Sequence, residues 1–243
     1  MEKVTNLPAT RYKLKSVRTG KQFEDKGWQL DSLDEEGASL IRAVYEKVQL
    51  EMGSEADGLF KFRSWLPVMR CMKGSSSPIT YKSEGLSSVL GLKNLWITFS
   101  GYWPERGARM STCSFKETEA YTVCGRIGDG LGKVLVVASA GNTARAFAKV
   151  CSDNRIPLLL CVPEDNLDSL WFESKLDECV RLVCTRSGSD YFDAIHLSNM
   201  IVTLPGFIAE GGAKNIARRD GMGTTVLSAV TTIGEIPQYY FQA

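Results

Sequence analysis

A chain of 243 residues, 44% of them hydrophobic, is long enough to bury a real core and is no disordered polypeptide. Its 29 basic and 28 acidic side chains leave a net charge of +1, too little to steer nucleic acid or an anionic membrane, so a small molecule is the expected partner. No apolar run approaches the ~20 residues of a membrane span, Met1 to Thr10 lacks the apolar stretch of a leader, and no cysteines form a Cys-x-x-Cys pair, so a cytoplasmic protein with reduced cysteines and no metal is expected.

In chain order, residues 12–17 and 27–30 read as two short strands about a Thr19-Gly-Lys21 turn. This makes 1–35 a small hairpin appendage and 36–243 the main body. Leu40, Ile41, Val44, Tyr45 and Val48 recur at helical spacing, which predicts a helix over 39–52 stopped by Gly53. After a connecting stretch, β-rich apolar runs at 95–99, 134–138, 158–162 and 181–184 alternate with helical patterns at about 115–126, 142–153, 190–203 and 223–234. That alternation is the mark of an α/β fold. The run 134–138 is apolar on both faces, so it is expected as a central strand of a parallel sheet with helices on both sides.

Two places carry chemistry. In Ser111-Thr-Cys-Ser-Phe-Lys-Glu117 a lysine follows a small polar turn at a helix start, where the positive end of the helix dipole disfavours the protonated amine. Lys116 is thus a candidate nucleophile or Schiff-base amine, although a lysine there is commonly a solvated surface residue. In Val137-Ala-Ser-Ala-Gly-Asn-Thr143 a buried strand breaks into a small-residue loop that opens a helix, the crevice position where α/β folds place ligands. The Ser139 hydroxyl, the Asn142 amide and the local N–H groups can receive a carboxylate or a ring oxygen; the ordinary alternative is that Ser139 or Asn142 is only an N-cap. Gly221-Met-Gly-Thr224 reads as a tight loop capping a helix, with a phosphate-holding turn as the other reading, and His196 reads as structural.

Together, the Ser-x-Lys turn and the Ser-x-Gly-Asn-Thr turn resemble pyridoxal 5′-phosphate enzymes of the tryptophan-synthase-β-like, or type II, fold. The resemblance implies pyridoxal phosphate as cofactor, Lys116 as its Schiff-base lysine and Asn142 as partner of its ring oxygen. It also implies Ser139, Gly141 and Thr143 as the loop for the substrate carboxylate, with Arg145 as a further substrate contact. Ser114-Phe-Lys-Glu-Thr118 departs from the Ser-Phe-Lys-Asp-Arg of threonine synthases. Instead Thr80-Tyr-Lys-Ser-Glu84, Phe99-Ser-Gly-Tyr-Trp-Pro-Glu105, Glu210-Gly-Gly-Ala-Lys-Asn215 and Ala217-Arg-Arg-Asp-Gly-Met-Gly-Thr224 are similar to cysteate synthases, as is most of the chain from about Tyr12. Such a family replaces the phosphate of O-phospho-L-serine with sulfite, giving L-cysteate for coenzyme M in methanogenic archaea, with Lys116 moving the α-proton. A threonine synthase acting on O-phosphohomoserine, and a non-catalytic α/β remnant, are the competing readings. Arg106, Arg109, Arg145, Lys214, Arg218 and Arg219 are the cations available to a small anionic amino acid and sulfite, and a homo-oligomer is compatible with the family.

In such relatives the glycine-rich loop for the cofactor phosphate follows a strand resembling 239–243, where this sequence ends. Residues 239–243 are accordingly expected to be a strand, and the chain to be a fragment or partner-dependent. Each missing charge-assisted hydrogen bond is worth about 1.5 to 3 kcal/mol, so weak cofactor binding is expected. Ser16 and Ser32 stand where ribbon-like relatives carry cysteines, which again predicts no zinc.

Overall fold

The computed structural model describes residues 9–34, 37–128 and 132–242. The readings at the extreme amino terminus and at Ala243 fall outside them. Strand β1 (Tyr12–Ser16) pairs antiparallel with β2 (Gln22–Phe23) on one side, while β3 (Ser32–Asp34) and β4 (Gly37–Ser39) form a hairpin that delivers the chain to β5 (Ile41–Tyr45) on the other. The helix expected over 39–52 is therefore a strand. The same apolar residues serve either period, and pairing with β1 decides for extended structure, burying Ile41 with Leu14 against Ile216. Residues 27–30 form no strand either: Trp28 has φ +50° and its indole N–H donates to the Ala209 carbonyl at 2.7 Å.

A run of 3-10 turns, Glu55–Trp65, is capped by Ser54 and delivers Leu59, Phe60 and Phe62 to the main core. Next come β6 (Ile79–Lys82), α1 (Glu84–Leu90) and β7 (Trp96–Phe99), with β6 and β7 antiparallel, then the small pair β8 (Tyr102–Trp103) and β9 (Ala108–Arg109). The remaining order is α2 (Lys116–Arg126), β10 (Val134–Ala138), α3 (Asn142–Asn154), β11 (Leu158–Val162), β12 (Val180–Cys184), α4 (Tyr191–Ile201), β13 (Phe207–Ala209) and α5 (Ile216–Ile233).

Strands β10 to β13 form one parallel sheet in the order β12, β11, β10, β13. The chain steps outward from β10 to β12, then returns through α4 to the far side of β10. Parallel crossovers are right-handed, so the reversal puts α3 and α4 on opposite faces of the sheet. It also makes β10 and β13 a topological switch, and the crevice beyond their carboxyl ends is where such folds bind ligands. Leu135, Leu158 and Leu160 on the sheet pack with Tyr121 of α2 and Phe147 of α3 in the main core, all buried. Losing one such aromatic to alanine typically costs about 3 to 5 kcal/mol.

Two further expectations fail. Gly221-Met-Gly-Thr224 opens no helix: it lies in the middle of α5, and Thr224 Oγ1 donates to the Gly221 carbonyl within the helix. A Cβ at Gly221 would come 2.5 Å from the Thr118 carbonyl, so this glycine is there to let α5 lie close on α2. Residues 239–242 are irregular where a strand is expected, lying along a cleft and not in the sheet. Of the cysteines, Cys124, Cys151 and Cys161 are buried and free, Cys71, Cys179 and Cys184 are half-buried, and Cys113 is exposed. His196 is exposed on α4. No helix among the described residues is long and apolar enough to cross a membrane.

Candidate active site

Helix α2 starts at Lys116, and the turn ahead of it is held by its own neighbours. The Thr112 N–H donates to Glu117 Oε1 at 2.5 Å, and the Lys116 N–H donates to Ser114 Oγ at 3.2 Å. Burial pushes the Glu117 carboxyl up, with the Thr112 N–H working against it. Cys113 has φ +53°, a left-handed conformation that residues other than glycine seldom adopt and that here bends the turn sharply.

The Lys116 side chain is 24% exposed. Its amine makes an ion pair with Glu119 Oε1 at 2.7 Å and lies 4.5 Å from the centre of the Phe115 ring. Glu119, one turn along the same helix, is only 2% exposed, and its second oxygen accepts Arg218 Nε of α5 at 2.6 Å. Arg218 also donates through Nη1 to Glu210 Oε2 at 2.8 Å and through Nη2 to Thr143 Oγ1 at 3.2 Å. Glu210 follows β13 and Thr143 follows β10, so one guanidinium spans the switch point and connects the lysine's partner to the Ser139–Thr143 loop. Burial works against the charge on Arg218, but Glu210 and Glu119 outweigh it and hold the guanidinium above its ordinary value. Burial pushes the Glu210 carboxyl up, opposed first by Arg218.

In the loop itself the Gly141 N–H donates to Ser139 Oγ at 3.4 Å. Gly141 occupies the N-cap of α3 with no side-chain cap, so neither Ser139 nor Asn142 serves as one. Asn142 is exposed at the start of α3, and its carboxamide oxygen accepts a hydrogen bond from Arg145. Asn142 and the turn residues Cys113, Ser114 and Phe115 wall one cleft of about 1020 Å³, closed on other sides by Trp96 of β7, Thr225 and Ala229 of α5, and Tyr240. The Lys116 side chain is folded onto Glu119 and is not among those walls.

The structure therefore brings Lys116 and Thr143 into one connected network, and Asn142 and the Lys116 turn into one cleft. Of the proposed cations, Arg218 belongs to that network and Arg145 touches Asn142. Arg106 is stacked on Tyr81 and Trp103, Lys214 is paired with Asp31, Arg219 donates to the Ala213 and Ile41 carbonyls, and Arg109 is exposed. Glu119 and Glu210 were missed by sequence reasoning. The signal for Glu119 was its spacing from Lys116 at i and i+3, which puts the two on one helix face, while Glu210 opens the quoted stretch Glu210 to Asn215 but was given no role there.

No family model matches the sequence. Among curated proteins, the cysteate synthase of Methanosarcina barkeri strain Fusaro is 45% identical over 232 residues, 96% of this chain and 55% of the relative. The cysteate synthase of Methanocorpusculum labreanum is 48% identical over 204 residues, 84% of this chain and 49% of the relative. The chain thus spans about half the length of the curated relatives it matches. Among solved structures, the apo form of Escherichia coli diaminopropionate ammonia lyase superposes with a TM-score of 0.50 at 13% identity, over 94% of this chain and 59% of that one, a likeness of fold alone. In sequence, this chain corresponds to the amino-terminal portion of the cysteate synthases, and its fold is that of the type II pyridoxal-phosphate enzymes.

Proposed function

We propose that the chain supplies the lysine-bearing part of a pyridoxal-phosphate site that exchanges the phosphate of O-phospho-L-serine for sulfite, giving L-cysteate in the cytoplasm. The observation that carries this reading is the connection Lys116, Glu119, Arg218, Thr143, which couples the one motif to the other across the switch point. The kinship with cysteate synthases supports the choice of substrates. The residues present fit the cofactor's ring: the Asn142 amide borders a cleft walled by Phe115, Trp96 and Ala229, and Lys116 adjoins Phe115 in sequence.

When bound, pyridoxal phosphate supplies an electron sink for the carbon that loses its proton. Lys116 would hold the cofactor through its amine, and Asn142 would meet the ring oxygen. Released from that bond when the substrate's own amino group takes its place, Lys116 Nζ would be the general base that accepts the substrate α-proton. Ser139, Gly141 and Thr143 present hydroxyl and N–H donors to the substrate carboxylate at the start of α3, where the helix dipole favours an anion. Arg145, beside Asn142, adds positive charge for the departing phosphate or the incoming sulfite. Glu119 acts as a positioning residue that fixes the amine, and Arg218 keeps Glu119 in register with Thr143.

Two measurements test the reading. Mixed with excess pyridoxal phosphate, the purified chain is expected to develop the visible absorbance of a lysine-bound pyridoxal, and Lys116→Ala is expected to abolish it. Completed with the carboxyl-terminal part of a cysteate synthase, the chain is expected to release phosphate from O-phosphoserine only when sulfite is present. Absence of the band from the unaltered chain would overturn the cofactor reading. Release from O-phosphohomoserine alone would move the assignment to threonine synthase chemistry.

A further inference from the structure

The turn ahead of α2 separates two hollows. Ser111 and Thr112 stand in the wall of a pocket of about 120 Å³ beside α3, whereas Cys113, Ser114 and Phe115 stand in the wall of the large cleft. With a hollow on either side, packing supports this segment less than it supports a core strand, and its position falls largely to its hydrogen bonds. Most of these are local. The Cys113 N–H donates to the Met110 carbonyl at 3.0 Å and the Glu117 N–H to the Ser114 carbonyl at 3.1 Å, each reaching back three residues. The contact of longest reach runs from the Thr112 N–H to Glu117 Oε1, and it ties the stretch before Cys113 to α2.

The backbone shows why that tie is needed. Cys113 sits at φ +53°, which a residue with a side chain keeps only where its surroundings enforce it. Thr112 and Glu117 bracket the bend, so drawing them together holds Cys113 in it and turns Cys113, Ser114 and Phe115 toward the cleft. The Phe115 ring in turn lies 4.5 Å from Lys116 Nζ. Glu117 is only 1% exposed, and its second oxygen, Oε2, is buried without a hydrogen-bond partner. A surface carboxylate would be satisfied by water, whereas this one is left with the turn. Nor is it part of an ion pair: Lys149 of α3, the cation that acts on it, is already paired with Asp153 at 2.7 Å. Burial favours the neutral carboxyl, so what Glu117 offers the turn is an acceptor oxygen rather than a charge.

We propose that Glu117 is a positioning residue for Lys116: its buried carboxyl pins the turn at Thr112 and thereby sets the place from which the neighbouring amine addresses the cleft. The proposal rests on the pyridoxal-phosphate reading of that amine, while the pinning itself is measured without any cofactor.

Two readouts on the purified full chain test this: hydrogen exchange of the peptide spanning 111–115 with no cofactor added, and borohydride trapping of pyridoxal phosphate on Lys116, both read by mass spectrometry. Glu117→Leu removes the acceptor, so exchange at the turn should accelerate roughly tenfold, the effect of one hydrogen bond, with the β10 and β11 peptides unchanged. Labelling of Lys116 at equal cofactor concentration should fall by a similar factor. Glu117→Gln keeps an acceptor oxygen and should restore both readouts to within about threefold, which a role carried by charge would not allow. Should Glu117→Leu fold poorly, Glu117→Ala provides the same comparison. Exchange at the turn unchanged by loss of the acceptor, or full labelling of Lys116 in a variant whose turn exchanges freely, would overturn the proposal and leave the cofactor reading standing. No label on Lys116 of the unaltered chain would overturn the cofactor reading, and this proposal with it.

Discussion

At the scale of single residues, the distinctive feature is carboxylates buried where the sequence suggests only cations. Glu119 and Glu210 would each be costly alone; Arg218 between them makes both tolerable, and its third nitrogen donates to Thr143. A further buried acid gives a clean prediction. Asp220 of α5 accepts a short hydrogen bond from the Tyr45 hydroxyl of β5, and burial raises its carboxyl from the ordinary value to about 6. The folded state thus holds a proton that the unfolded chain, titrating near an ordinary ~3.9, has already released. Folding is consequently favoured as pH falls through that interval and penalised above it. Relative to Asp220→Asn, the unaltered chain should gain on the order of 2 kcal/mol between about pH 6 and about pH 4, measured by urea unfolding at each pH. A difference that stays flat across the interval would contradict the assignment.

At the scale of elements, what the sequence made legible and what it hid divide along physical lines. Continuous apolar runs bounded by Gly, Pro and Asp left little choice, and β10 and β11 begin and end where their residues suggest. Lys116 and Asn142 were readable as helix openings for the same reason, since polar turns and helix periodicity meet there. Ile41, Val44 and Tyr45 fit two periods equally, and only the distant partner β1, some thirty residues away in sequence, selects the strand. Gly221 and Gly223 look like loop residues because glycine breaks isolated helices, but both lie inside α5, and at Gly221 close packing on α2 overrides propensity. Gly221→Ala should accordingly destabilise the chain although alanine is the better helix former. A loss of about 1 to 3 kcal/mol is expected from the forced separation of α5 and α2, read as a lowered urea midpoint. Stabilisation would show that the contact at Thr118 is slack.

At the scale of the whole molecule, the amino-terminal strands are tied to the α/β body by polar contacts as well as apolar ones. Arg126 at the end of α2 is 1% exposed and binds Asp25 at 2.9 Å, the Gln29 carbonyl and Asn215 Oδ1. That last contact matters because Asn215 caps α5, the helix that carries Arg218. The site thus draws on β10, β13, α2, α3 and α5, elements far apart in sequence that the parallel sheet gathers at one edge. The central claim is that this edge presents a single reactive amine, at Lys116, to a pyridoxal ring. Borohydride reduction of the chain in the presence of pyridoxal phosphate, followed by peptide mapping in a mass spectrometer, tests it most directly. One pyridoxyl group is predicted on the peptide containing Lys116, whereas label scattered over the surface lysines with Lys116 unmodified would contradict the account.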